Sequence, residues 1–394
     1  METAFWHSPS TRRMQLLVRT CLLALLSVVA AAAVGSAGAL SPLSLSFDGG
    51  APFRHVIEKP KATYVAVHFA SLDIPINGTL RLVDKSGQDV VAFAGGDHRG
   101  SFFAEWLAGD AVTLTYDAPH YEARSTPVFV IDKVAFGHRV GVTEEICGED
   151  FTRPASCYRN TSMHAPSRAV ARLLIQGISE CTGWLIGSEG HLITNEHCIG
   201  IDEDGSEVQV DLGAECDCDD ASQHNVHGAC KGTIVATNAT FVMSDTANDF
   251  ALFKLNVKDG VDLSQWGYLQ VRASGPALGE HVYVSGHPNF WSKRVSAYVA
   301  NNVMGEITKL SHDMDNGPTP LESCQKDEFT YNLGTLGGNS GSPVLSAKDH
   351  VVVGLHNCGS CGEYGNGGIK FNKIVAQLES KGVLPPNAIA KTHC

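Results

Sequence analysis

The sequence predicts an all-β protein in two parts: a small β-sandwich, then an antiparallel barrel unit that ends in one helix. Three observations carry this. Short runs of β-branched and aromatic residues fill the chain, glycine- and asparagine-rich turns separate them, and one helical stretch stands out near the carboxy terminus.

The elements follow in order. Arg12, Arg13 and Arg19 precede an uncharged apolar run from Thr20 to Leu40, and Ala37-Gly38-Ala39 supplies a small-residue cleavage pattern. Residues 1–39 therefore read as a secretory signal, with an uncleaved membrane anchor as the alternative. Once the signal is removed, no later stretch is long and apolar enough to suggest a membrane span. Residues 40–140 carry the sandwich pattern, as in Thr63–Phe69, Thr79–Val83, Asp89–Phe93 and Ala111–Tyr116, split by turns at Asn77-Gly78, Asp84–Gly87 and Gly109-Asp110. Residues 145–394 form the second unit, with strands expected at Ala171–Ile175, Trp184–Ile186, His191–Thr194, Val208–Leu212 and Val351–Leu355. Its helix spans Phe371–Ser380 and is stopped by Gly382 and Pro385-Pro386.

Composition narrows the function. The chain has 394 residues, 43% hydrophobic and 18% charged, as a globular protein does. Its net charge of -13 disfavours nucleic acid and anionic membranes as partners. Of 12 cysteines, all but Cys21 follow the signal, which suits structural disulfides in an exported protein. Asn77, Asn160 and Asn238 open acceptor triplets for glycosylation.

Three motifs carry chemistry. Leu192–Cys198 is a β-run ending in His-Cys, Asn248–Leu255 opens an apolar strand on an acidic residue, and Gly337–Pro343 holds a serine inside a tight glycine turn. A serine hydroxyl needs an adjacent base to act as a nucleophile, and imidazole titrates in the right range. A carboxylate holds the imidazole in one tautomer and stabilises its cation. The glycines around Ser340 let the backbone N–H groups of Gly338 and Ser340 converge on a developing oxyanion. These requirements single out His197, Asp249 and Ser340.

On these motifs the chain resembles the chymotrypsin-like serine peptidases, whose elements run in the same order, His, Asp, Ser. The resemblance implies a double antiparallel β-barrel domain over residues 145–394, protein or peptide substrates, and acyl transfer that needs no cofactor. It also implies a Cys181–Cys198 disulfide beside the histidine. Asn339 replaces the aspartate that pairs with a freed amino terminus in zymogen-activated relatives, so that activation route is not expected. The stretch Tyr331–Val344 resembles glutamyl endopeptidases, while Gly286–Asn289 and Lys293–Ser296 resemble lysyl endopeptidases.

Gly334 stands where trypsin-like pockets carry an aspartate, so a basic P1 side chain is not expected by that route. Thr335 and His356 match positions that grip an acidic P1 side chain in glutamyl endopeptidases, and both can donate to an anion. The lysyl relatives further imply bridges from Cys157 into the Cys216–Cys230 segment, and from Cys147 to Cys358 or Cys361. Cys216, Cys218, His224, His227 and Cys230 could also be read as metal ligands, but the spacing fits no common site, and no metal is expected. Two other functions compete with a peptidase. One is a catalytically silent homologue that binds protein or glycan. The other makes the amino-terminal unit the working module, or a propeptide. Nothing in the sequence bears on oligomeric state.

Overall fold

The computed structural model describes residues 36–138, 146, 149–199, 207–314, 324–359 and 365–391. Most of the proposed signal, with Cys147, Cys361 and Cys394, lies outside them.

Residues 38–137 make two antiparallel sheets packed face to face. One runs in the order Gly38–Phe47, Phe129–Gly137, Tyr64–Asp73, His98–Arg99, and the other Phe53–Glu58, Ala111–Asp117, Thr79–Asp84, Val90–Ala94. Alternation drives this. In Val90–Ala94 the burial pattern is strictly exposed–buried, with Val91 and Phe93 inside. Leu80, Leu82, Val112, Leu114, Phe69, Phe129 and Ile131 fill the space between the sheets. Each such side chain, fully buried, contributes about 1.5–3 kcal/mol.

The second part holds a seven-stranded and an eight-stranded antiparallel sheet among the described residues. The first runs Thr233–Ala236, Val208–Leu212, Val170–Ile175, Ser179–Ile186, His191–Thr194, Phe250–Leu255, Ala239–Asp245. The second runs Arg153–Pro154, Arg294–Ser296, Val282–Gly286, Pro343–Ser346, Val352–Cys358, Asn366–Lys370, Glu328–Tyr331, Ile307–His312. Both curl, giving the all-β, two-barrel architecture. The helix Phe371–Ser380 buries Phe371, Ile374, Val375 and Leu378 on one face, with Phe371 against Trp184. It ends where Gly382 takes φ +68° and the N–H groups of Gly382 and Val383 bond back to Glu379 and Leu378. No described helix is long and apolar enough to cross a membrane.

The two parts share a buried cluster. Ala37, Tyr64, Ala66, Phe103, Trp106 and Ala135 from the sandwich meet Leu174, Ile234 and Phe290 from the barrels. Polar bonds cross the same boundary: Tyr64 O–H donates to Gly177 O at 2.8 Å, and the Gln209 side chain accepts from Trp106 N–H and donates to Ala104 O. His68, buried beneath Ser101 and Asp132, lies 3.2 Å from Glu207 on the barrel side. The segment read as the cleavage region is part of this contact: Ser36 pairs with Ser179, and Ala37 is fully buried.

Four disulfides occur among the described residues: Cys157–Cys218, Cys181–Cys198, Cys216–Cys230 and Cys324–Cys358. The last corrects one expectation. Cys358 is not free for Cys147, because the fold brings its Cα within 5.0 Å of that of Cys324, a proximity invisible in spacing. Cys216, Cys218 and Cys230 are likewise consumed by disulfides and present no thiolate to a metal.

Candidate active site

Strand pairing assembles the first two residues. His191–Thr194 lies beside Phe250–Leu255, with Thr194 opposite Ala251, so the turn after one strand meets the turn before the other. His197 Nδ1 lies 2.7 Å from Asp249 Oδ2, and its backbone N–H donates to Asp249 Oδ1 at 3.0 Å. A carboxylate only accepts, so Nδ1 carries the proton and Nε2 presents a lone pair. Asp249 is 1% exposed and sits at φ +36°, a conformation secured by Asn195 Nδ2, which donates to its carbonyl at 2.7 Å. Asp245 closes the preceding turn by accepting from Asn248.

Ser340 lies in the turn before Pro343–Ser346 and is held against the other barrel by Thr182. Thr182 N–H donates to Ser340 O at 2.9 Å, and Thr182 Oγ1 donates to Gly338 O at 2.8 Å. Thr194 Oγ1 in turn donates to Thr182 O. Gly341, at φ +86°, lies so close that a Cβ there would stand 2.1 Å from Thr182 O, so no other residue fits. One ring nitrogen of His197 lies within 4.8 Å of both sulfurs of the Cys181–Cys198 bridge, and Cys198 Sγ is 4.0 Å from Ser340 O. The imidazole and the serine turn are thus neighbours across the barrel interface. With both sulfurs tied in the bridge, that cluster offers no thiolate to a metal.

The turn also orients its amides. Gly337 O accepts from Asn289 N–H and Asn339 O accepts from Ser342 N–H. In a trans peptide the C=O and N–H point in opposite directions. The N–H groups of Gly338 and Ser340 therefore face away from those partners, and neither has an acceptor among the described residues.

Beside the turn, His356 is fully buried on the Val352–Cys358 strand, and its backbone clasps the loop through Gly341 N–H to His356 O and His356 N–H to Ser342 O, both 2.9 Å. Its Nδ1 lies 2.6 Å from Tyr331 Oη and 3.1 Å from Gly367 O. Nε2 is buried with no partner, as is Thr335 Oγ1. Burial, reinforced by the nearby His197, pushes the His356 pKa down to about 4. Gly334, half-buried, contributes no charge.

Sequence reasoning missed several supports. Asn195 falls inside the histidine motif and Thr182 follows Cys181, but only the fold reveals what they hold. Glu328 gave no signal at all. It is fully buried, with Oε1 accepting from Gln325 N–H and from Asn357 Nδ2, while Oε2 is buried without a partner. Burial, with a contribution from Asp249, raises its pKa to about 8 against those two bonds.

The model of the trypsin-like peptidase domain matches residues 181–355, a span that opens at the bridged Cys181 and ends one residue before His356. Over 360 residues the chain is 37% identical to the secreted RxLR effector protein 73 of Plasmopara viticola, covering 85% of this chain and 84% of that one. The chain thus carries a trypsin-like peptidase domain over residues 181–355. The glutamyl endopeptidase of Bacillus licheniformis is 26% identical over 189 residues, covering 47% of this chain and 51% of its own. Among solved structures, a serine endoprotease from Yersinia pestis matches 57% of this chain and 67% of its own, at 17% identity and a TM-score of 0.40.

Proposed function

We propose that the chain is a secreted serine endopeptidase. The observation that carries this is the buried Asp249 holding His197 in the tautomer a general base needs, beside the turn that bears Ser340. In the proposed reaction, Ser340 Oγ attacks the scissile carbonyl as His197 Nε2 takes its proton. The N–H groups of Gly338 and Ser340 receive the oxyanion, and His197 returns the proton to the leaving amine. Water then attacks the acyl-enzyme by the same route.

The proposed P1 preference is for an acidic side chain. Its support is a pair of buried, unsatisfied polar atoms, Thr335 Oγ1 and His356 Nε2, which in this reading line the wall of the P1 pocket with an uncharged Gly334. Nδ1 faces Gly367 O, which can only accept, so Nε2 donates to a P1 carboxylate once the bound anion draws a second proton onto the ring. Similarity to a glutamyl endopeptidase points the same way. Secretion is supported by the secreted relative, by the four disulfides, and by the exposure of Asn77, Asn160 and Asn238. Because Ala37 is buried in the fold, we place the signal cleavage before Ser36 rather than after Ala39.

Cleavage of a denatured proteome, with Ser340→Ala as the control, tests the reading. New peptide ends following Glu or Asp that require Ser340 support it. A folded wild-type chain that cuts nothing would favour a silent homologue, and cuts without acidic preference would remove the P1 assignment alone.

A further inference from the structure

The aromatic residues of the amino-terminal sandwich end one step from the serine turn. Tyr64 and Trp106, both buried, place their rings 5.6 and 5.5 Å from Phe290. Phe290 and Asn289 occupy consecutive left-handed positions, φ +56° and +48°. Such a conformation is unfavourable for a bulky side chain and persists where surrounding contacts impose it. Those contacts are visible. Arg172, buried and paired with Asp211, lies over both Trp106 and Phe290 and donates to Phe290 O. Gly228 N–H donates to the same carbonyl.

The strained turn has one consequence for the site. It presents Asn289 N–H to Gly337 O at 2.6 Å. It also packs against Gly338, where a Cβ would lie 2.7 Å from His287 O and 2.9 Å from Asn289 N. Turning the Gly337–Gly338 peptide over would break the first bond and bring its carbonyl where the Gly338 N–H now points.

We propose that the sandwich is a working part of the catalytic apparatus: Tyr64 and Trp106 hold the Asn289–Phe290 turn against Gly337, and so keep Gly338 N–H directed at the oxyanion. The inference rests on the serine-peptidase reading. It makes the sandwich a permanent part of the mature enzyme, and Trp106 a positioning residue for an amide it never contacts. The Trp106 backbone is anchored independently, by Gln209 Oε1 and by Lys231 Nζ, so truncating the ring leaves the local chain in place.

The test is steady-state kinetics on the full-length chain, with affinities for two ligands taken from one cleaved site: a peptide boronic acid, which forms the tetrahedral oxyanion, and the product peptide, which does not. Losing an oxyanion donor costs about 10²–10³ in rate. Trp106→Ala is expected to lower kcat by about 10² with KM within about twofold, and to weaken the boronate in proportion while leaving the product peptide unchanged. Trp106→Phe should recover most of the loss. If Trp106→Ala does not fold, Phe290→Leu is read in the same way. A folded variant with unchanged kcat, or one that loses both ligands equally, would overturn the inference. A wild-type chain that cleaves nothing would overturn the peptidase reading first, and this one with it.

Discussion

Asp249→Asn is the perturbation whose outcome the geometry determines most fully. Asp249 accepts twice from His197, at Oδ2 from the ring and at Oδ1 from the backbone N–H. An amide can satisfy only one of these. If the oxygen faces the ring, the amide N–H₂ meets the His197 N–H, and a buried donor pair is left unsatisfied at a cost of about 1–3 kcal/mol. If the oxygen faces the backbone, the ring must present a lone pair at Nδ1. Its proton then sits on Nε2, which can no longer accept from Ser340. The first cost alone biases the site toward the wrong tautomer by about 5- to 150-fold. Loss of the carboxylate charge, which stabilises the imidazolium in the transition state, brings the total to about 10⁴ in kcat, or about 5.4 kcal/mol. The fold should survive, since asparagine tolerates φ +36° and the Asp249 carbonyl that binds Asn195 is retained. The assay is kcat/KM on a chromogenic peptide, with circular dichroism to match folded concentrations. A well-folded variant that loses less than about tenfold would refute this account of the pair.

Three further outcomes follow from the same geometry. His356→Ala should cut kcat/KM on Glu-P1 peptides by about 10–100-fold while leaving uncharged P1 substrates nearly unchanged; equal losses on both would mean that His356 only supports the wall. Glu328, with its pKa raised to about 8, holds a proton in the folded state that the unfolded chain releases near its ordinary pKa of 4.5. Stability should therefore fall as pH rises from about 4.5 to 8, at up to about 1.4 kcal/mol per unit, and Glu328→Gln should remove that slope in thermal unfolding; parallel curves for the two proteins would contradict it. Mass spectrometry of the secreted chain should place its amino terminus at or before Ser36, and a mature protein beginning at Leu40 would show that the buried Ala37 is dispensable.

Local patterning made the fold class legible, because alternation and turn chemistry act over a few residues. The strands His191–Thr194 and Val208–Leu212 and the helix Phe371–Ser380 have the boundaries the pattern predicts. Residue types at the site were legible for a different reason: base, carboxylate and hydroxyl are dictated by chemistry and sit in short motifs. Long-range partners were not. Cys358 could not be assigned to Cys324 from spacing, nor could Trp106 be separated from ordinary strand aromatics. Its role depends on meeting Phe290, which lies far away in sequence. Glu328 was hidden for the same reason, since its environment comes from Gln325, Asn357 and the surrounding barrel.

The most direct measurement is labelling of the folded chain with a fluorophosphonate, followed by peptide mass spectrometry. The prediction is one adduct, on Ser340, abolished by His197→Ala and slowed by Asp249→Asn. A folded wild-type chain that stays unlabelled, or that carries the adduct on another residue, would contradict the assignment of Ser340 as the activated nucleophile.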